Sequence, residues 1–138
     1  MPIVPQLRIS EAAALLGVSD DTVRRWADQG RLQLAKAASG RSVVDGAELA
    51  RLALELADGT PVAGGGRSAR NSLRGIVTKV TRDTVMAQVE LQAGPHRIVS
   101  LMSREAADEL ALDVGVVAYA SIKATNVVVA LDDRQAAP

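Results

Sequence analysis

Two short segments carry the side chains best suited to chemistry. Ser68-Ala69-Arg70-Asn71 stands at the head of one apolar β-run, and Ser121-Ile122-Lys123-Ala124-Thr125-Asn126 at the foot of another. Both set hydroxyl, amide and cationic groups at strand ends, and neither contains a carboxylate, a thiol or a histidine. Groups of this kind donate hydrogen bonds and positive charge. The guest they suit is a small oxyanion, whose oxygens only accept, rather than a metal cation.

Other chemistries find little support. His96 is the single histidine and sits in the Gly94-Pro95-His96 turn, where a solvated loop residue is expected rather than a general base. The serines lack a histidine partner, and with no cysteine there is no thiol nucleophile, thiolate metal site or disulfide. Gly64-Gly65-Gly66-Arg67-Ser68 lacks the lysine of a phosphate-binding loop and follows no strand. The chain is therefore expected to be a binding protein and not an enzyme, with no cation site.

The elements that must position these groups have an aliphatic core, because Phe is absent and Trp26 and Tyr119 are the aromatic residues in a chain that is 48% hydrophobic. Small domains of this kind are marginal alone, which favours oligomerisation. Sixteen basic residues balance sixteen acidic ones, so no general field attracts nucleic acid, and DNA contact would need local clustering. There is no signal-like N-terminus, and the longest apolar runs, such as Val114–Ile122, are too short to span a bilayer. A cytoplasmic location without membrane attachment is the expectation.

Asp58-Gly59-Thr60-Pro61-Val62-Ala63-Gly64-Gly65-Gly66-Arg67 reads as a flexible boundary. It divides an α+β chain into a first domain over 1–58, a linker over 59–67, a second domain over 68–133 that holds both donor-rich segments, and a disordered tail over 134–138. In the first half, Ser10 is placed to cap a helix through Leu16 that Gly17 ends, and Ser19 to cap a second over Asp20–Gln29. Leu32–Val44 reads as a hairpin turning near Ser39-Gly40, and Ala47–Ala57 as a third helix with Leu49, Leu52 and Leu56 on one face. In the second half, strands are expected at Leu73–Val80, Thr84–Leu91, Arg97–Met102, Val116–Lys123 and Val127–Leu131, with one short helix at Arg104–Leu110. That pattern suggests a five-stranded oligonucleotide-binding-like barrel.

Helices meeting at Gly17-Val18-Ser19 fit a helix-turn-helix, with Ala13 at the crossing and Leu16, Val18, Val23 and Trp26 inward. The outward face of the second helix offers Ser19, Thr22, Arg24 and Arg25 as candidate DNA contacts, beside Asp20. Arg24 and Arg25 project about 100° apart, so one suits a base edge and the other a phosphate. Through Ile9-Ser10-Glu11-Ala12-Ala13, Leu16-Gly17-Val18-Ser19, Thr22-Val23-Arg24-Arg25-Trp26, Gly30-Arg31-Leu32 and Gly40-Arg41, the segment Leu7–Leu56 resembles the excisionase and MerR-type winged helix-turn-helix family. The resemblance implies that the hairpin is a wing whose Arg41, with Lys36 a weaker candidate, meets DNA. Asp20, Asp21 and Asp28 make this recognition helix less basic than in many relatives.

The second half resembles the TOBE/Mop family of molybdate-binding domains over nearly all of Ser68–Leu131. The resemblance rests on Ser68-Ala69-Arg70-Asn71 followed by Gly75, on Met102-Ser103-Arg104-Glu105, and on Ile122-Lys123-Ala124-Thr125-Asn126-Val127. It implies a molybdate or tungstate ligand held by Ser68, Ala69, Arg70, Asn71, Ser103, Lys123 and Ala124. Ser68 and Ser103 would supply hydroxyls, Arg70 and Lys123 charge, and Ala69 and Ala124 backbone N–H groups. Asn71 and Asn126 either orient the site or satisfy strand-end backbone. The resemblance further implies a site between subunits of a dimer or hexamer, to whose seam Val127-Val128-Val129 would contribute.

The expectation is thus an oxyanion-responsive, DNA-binding regulator. Its rivals are an oxyanion store whose first half aids assembly and an excisionase-like architectural protein.

Overall fold

The computed structural model describes residues 5–57 and 68–132. The expected linker at 59–67 and tail at 134–138 lie outside the described residues. Chain contacts divide the described residues into two compact units, the first built on residues 5–57 and the second on residues 68–130. Together they give the α+β composition expected.

The first unit starts with a short strand, β1 (Gln6–Arg8), that the sequence pattern does not announce. Helix α1 (Ile9–Leu16) follows at once, so Ser10 lies inside the helix and is not its cap. Arg8 holds the cap position, and its backbone N–H donates to Glu11 Oε1 at 3.3 Å. Gly17 takes the left-handed conformation (φ 70°) that ends α1, allowing Val18 N–H to reach the carbonyl of Ala13 at 3.0 Å. Ser19 caps α2 (Asp20–Asp28) as expected, its Oγ accepting from the backbone of Thr22 at 3.2 Å. Beyond α2, Gly30 (φ 77°) turns the chain so that Arg31 N–H reaches the carbonyl of Trp26.

A hairpin of β2 (Leu34–Lys36) and β3 (Ser42–Asp45) turns at Gly40 (φ 87°), and β1 joins its other side in the order β1-β3-β2. Helix α3 (Gly46–Ala57) then packs Leu49 and Leu52 into a core with Leu7, Ile9, Ala12, Ala13, Val23, Trp26, Leu32 and Val44. Leu16 and Val18 pack against its margin. Leu56, expected on the same face as Leu49 and Leu52, is 40% exposed where those two are buried. Arg51 fastens α3 to the turn that follows α2, donating to the carbonyl of Arg31 at 2.8 Å while pairing with Glu48 and Glu55. Those carboxylates raise its pKa, the hydrogen bond to Glu48 most.

The second unit is a curled antiparallel sheet in the order β6-β5-β4-β7, formed by β4 (Asn71–Arg82), β5 (Met86–Ala93), β6 (His96–Ser103) and β7 (Val117–Ile122). A short helix, α4 (Arg104–Glu109), lies between β6 and β7. The curl comes from β4, which pairs with β7 through its first half and with β5 through its second, with a register shift between Val77 and Lys79. At the changeover β4 runs so close to β5 that a Cβ on Gly75 would stand 2.8 Å from the carbonyl oxygen of Gln92. Val77, Val89, Leu91 and Leu112 form the core.

The expected fifth strand is not formed. Ala124–Asn126 is a 3-10 turn and Val127–Leu131 has no regular structure, so the described residues give four strands where five were expected. A β-branched run becomes a strand only where a neighbour supplies the ladder, and this one has none within the described sheet. Val128 and Val129 are 92% and 88% exposed. Without that strand, β6 and β7 remain the sheet's edges. A hollow of about 560 Å³ is lined by Ile98, Met102, Tyr119, Ser121 and their neighbours.

Candidate functional site

Strand pairing places most of the expected oxyanion ligands together. Asn71 opposes Ile122 across β4 and β7, so Ser68, Ala69 and Arg70, which lead into β4, lie at the same end of the sheet as Lys123 and Ala124, which leave β7. Asn71 Nδ2 donates to the carbonyl of Ile122 at 3.1 Å and ties the two segments. Of its two readings, satisfaction of strand-end backbone is the one the geometry displays. Ser68, Arg70 and Lys123 are exposed and Ala69 is half-buried. The cluster therefore faces outward, with donors and two cations and no carboxylate in either segment.

Ser103 is elsewhere. It opposes Met86 at the far end of the sheet, level with Arg82 at the other terminus of β4. The strand between Asn71 and Arg82 is roughly 35 Å long by contour. A single chain thus brings six of the seven residues to one end of the sheet and leaves the seventh at the other. Ser103 caps α4, its Oγ accepting from the backbone of Ala106 at 3.1 Å. The hollow beside it is lined by Glu105, Asp108 and Glu109 along with Arg104. Those carboxylates oppose an anion, although Arg82 and Arg104 both pair with Asp108, at 3.1 and 3.6 Å.

Ser72 went unnoticed in the sequence. Its hydroxyl is shielded from solvent and has no hydrogen-bond partner among the described residues, two positions from Arg70 and opposite Ser121. No local pattern marks it, because a serine alternating along a strand is unremarkable until its neighbours are known.

On the first unit, α2 presents its polar face as expected, with Val23 and Trp26 buried beneath. Ser19 and Thr22 are partly engaged with each other, their hydroxyl oxygens 3.0 Å apart at the cap. Arg24 reaches Asp21 at 3.6 Å, an exposed pair that a stronger anion would displace readily. Arg24 and Arg41 line a common hollow with Arg8, Ser10, Ser42 and Asp20, whereas Arg25 does not. Arg8 was the residue missed here, since an arginine ahead of the first helix has no motif to announce it. Lys36 is occupied with Ser42 Oγ at 3.2 Å.

Comparison with known proteins agrees with the division into two units. The TOBE domain family matches residues 67–129, and the helix-turn-helix domain family matches residues 7–56. Neither is a catalytic family. A protein of Haemophilus influenzae named as a probable molybdenum-pterin-binding protein is 42% identical over 66 residues, which is 47% of this chain and 96% of that protein. Among solved structures, a molybdate-binding protein from Sporomusa ovata is 27% identical, aligning 49% of this chain with all of its own at a TM-score of 0.47. MopII from Clostridium pasteurianum is 34% identical over 48% of this chain and all of its own, with a TM-score of 0.45. The cytoplasmic molybdate-binding protein ModG is 40% identical over half of each chain, also at 0.45. On the family match and the Haemophilus relative, the chain belongs to the TOBE-domain family, joined to a helix-turn-helix domain that precedes it.

Proposed function

We propose that the chain is a DNA-binding regulator that responds to molybdate or tungstate. The observation that carries this reading is the pairing of Asn71 with Ile122, which sets Ser68 and Arg70 beside Lys123 in a group of donors free of carboxylates. A tetrahedral dianion has four oxygens that only accept, so such a group complements it. Sulfate is smaller and would leave donors in the same cage unmatched. The name of the Haemophilus relative points the same way.

Ser103 joins this site from a second subunit, which resolves its separation within one chain. The open edges of β6 and β7 and the exposed Val127–Val129 run favour such an assembly, a dimer or a hexamer. Bound dianion offsets the repulsion among Arg70 and Lys123 side chains brought together there, and so tightens the interface. The first unit acts as a winged helix-turn-helix: α2 enters the major groove, with Ser19, Thr22, Arg24 and Arg25 at its face, and the β2–β3 hairpin is the wing carrying Arg41. Tighter assembly raises avidity for paired half-sites, which lie about 34 Å apart for adjacent turns. The protein works where its DNA is, in the cytoplasm; no described helix is long and apolar enough to cross a membrane.

The deciding experiment is a mobility shift on the DNA upstream of the protein's own gene, with and without molybdate, supported by calorimetry of molybdate against sulfate. A molybdate-dependent shift is expected. Tight molybdate uptake with no shift would instead establish an oxyanion store. That second reading is favoured by the Haemophilus relative, almost the whole of which matches less than half of this chain.

A further inference from the structure

Three arginines from separate elements converge on the first unit. Arg8 closes β1, Arg24 lies on α2 and Arg41 precedes β3 on the hairpin, and together with Ser10 and Ser42 they line an open hollow of about 280 Å³. One carboxylate, Asp20, shares that lining, so guanidinium outnumbers carboxylate three to one. Residues 1–60 are slightly acidic, with seven basic residues against eight acidic ones, so the positive charge gathered here does not reflect a general surplus.

Neighbouring acids do not neutralise it firmly. Glu11 approaches Arg8 at 3.8 Å and Asp21 approaches Arg24 at 3.6 Å, both as solvent-exposed pairs of small energetic worth, and Arg41 has no ion pair among the described residues. This hollow is open and nothing among the described residues covers it, so water competes with a lone anion here. A polymer that presents phosphates at fixed spacing is different, because each one neutralised releases condensed counterions. Arg25 is absent from this hollow although it adjoins Arg24, since successive helical residues project about 100° apart.

We propose that Arg8, Arg24 and Arg41, with the hydroxyls of Ser10 and Ser42, form a seat for a backbone phosphodiester of DNA, which leaves Arg25 to read the bases. The inference rests on the DNA-binding reading and decides which of the two adjacent arginines has which role. The seat fixes the register of α2 against the duplex, because it joins the helix, the chain entering α1 and the hairpin on a single phosphate. It also explains how a unit without a basic surplus engages a polyanion: its cations are gathered where one strand of the backbone passes.

The test measures binding of the full chain to two labelled duplexes by fluorescence anisotropy, from about 50 to 200 mM salt. One duplex has random sequence and the other is selected from a random pool by the wild-type protein. Arg8→Ala, Arg24→Ala and Arg41→Ala should each weaken both duplexes equally, by roughly tenfold at about 0.1 M salt, and each reduce the salt slope by part of the roughly one unit that a single neutralised phosphate releases. Arg8→Lys and Arg41→Lys, which keep the charge, should retain the slope, and unchanged circular dichroism shows that the variants fold. Arg25→Ala should lose the preference for the selected duplex and keep the slope more nearly intact. If the wild type binds and Arg8→Ala and Arg41→Ala alter neither affinity nor slope, the seat is overturned and the DNA-binding reading stands. An Arg24→Ala loss confined to the selected duplex overturns the assignment of roles. If the wild type binds neither duplex, the seat and the DNA-binding reading fall together.

Discussion

Asn71 donates its side-chain N–H to the carbonyl of Ile122 at 3.1 Å, and through that bond the segment bearing Ser68 and Arg70 is held against the one bearing Lys123. The groups concerned are far apart in sequence and lie on exposed strand ends that would otherwise fray. A neutral hydrogen bond of this kind contributes about 1 kcal/mol. Asn71→Ala should lower the melting temperature by about 4–8 °C, as expected for a domain of this size. Molybdate affinity should fall by about fivefold, a little under the tenfold that 1.4 kcal/mol represents. A lowered melting temperature with unchanged affinity would confine Asn71 to a structural role.

Arg70 and Lys123 are both exposed, so removing either side chain should leave stability within about 0.5 kcal/mol of wild type. Oxyanion binding should respond very differently. A charge-assisted hydrogen bond is worth about 1.5–3 kcal/mol, so Arg70→Ala and Lys123→Ala should each weaken molybdate binding by roughly 10- to 150-fold in calorimetry. Unchanged binding in either variant would remove that residue from the site.

Gly75 owes its place to a neighbour's backbone rather than to its own torsions. The Cβ of Gly75→Ala would stand 2.8 Å from the carbonyl oxygen of Gln92, and neither strand can retreat without breaking the ladder on both sides of β4. Overpacking of this kind costs about 1–3 kcal/mol. The urea midpoint should drop accordingly, and molybdate binding should weaken with the loss of register between Asn71 and Ile122. A midpoint equal to wild type would show that the two strands have room to separate.

Acid should loosen the β4–β5 turn first. Asp83 Oδ1 accepts from the backbone N–H of Met86 at 2.7 Å and of Val85 at 2.8 Å. These bonds, Met86's foremost, hold its carboxyl below the ordinary value of 3.8, with Arg104 adding a smaller pull. Because the folded-state pKa is depressed, the stabilisation is complete above that ordinary value and is lost as pH falls through the folded one. In Asp83→Asn the urea midpoint should be lower at neutral pH and should decline less steeply on acidification. Parallel acid limbs in the two proteins would assign the acid sensitivity to other carboxylates.

The sequence displays most of this architecture where local signals agree. Ser19 as a cap, Gly17 as a left-handed turn, the hairpin turn near Gly40 and the succession of strands β4 to β7 each follow from residue type and immediate neighbours. Failures arise where the deciding partner is remote. Strand β1 exists because β3 offers it an edge, and Val127–Leu131, with ample β-propensity, is no strand because nothing described pairs with it. Ser10 yields its expected cap position to Arg8 because the helix begins directly at the end of β1. In the proposed oxyanion site, residue types suggest the chemistry, but only register reveals that Ser103 stands at the opposite end of the sheet from Lys123.

That separation makes a complementation experiment decisive for where the site is assembled. Suppose a site takes Lys123 from one subunit and Ser103 from the next, as their positions at opposite ends of β4 favour. In a mixed dimer of Lys123→Ala and Ser103→Ala chains, one site then carries both substitutions and the other carries neither. Each variant alone should bind molybdate weakly at every site, while co-refolded mixtures should recover wild-type affinity at about half the sites of the mixed species, read as stoichiometry in calorimetry. A site built within one chain gives no such recovery, because every copy then lacks one of the two groups. Absence of recovery, with mixed dimers demonstrated by a tag on one chain, would return Ser103 to its visible role as the cap of α4 and require other donors at the Lys123 end, with the shielded hydroxyl of Ser72 the first to examine.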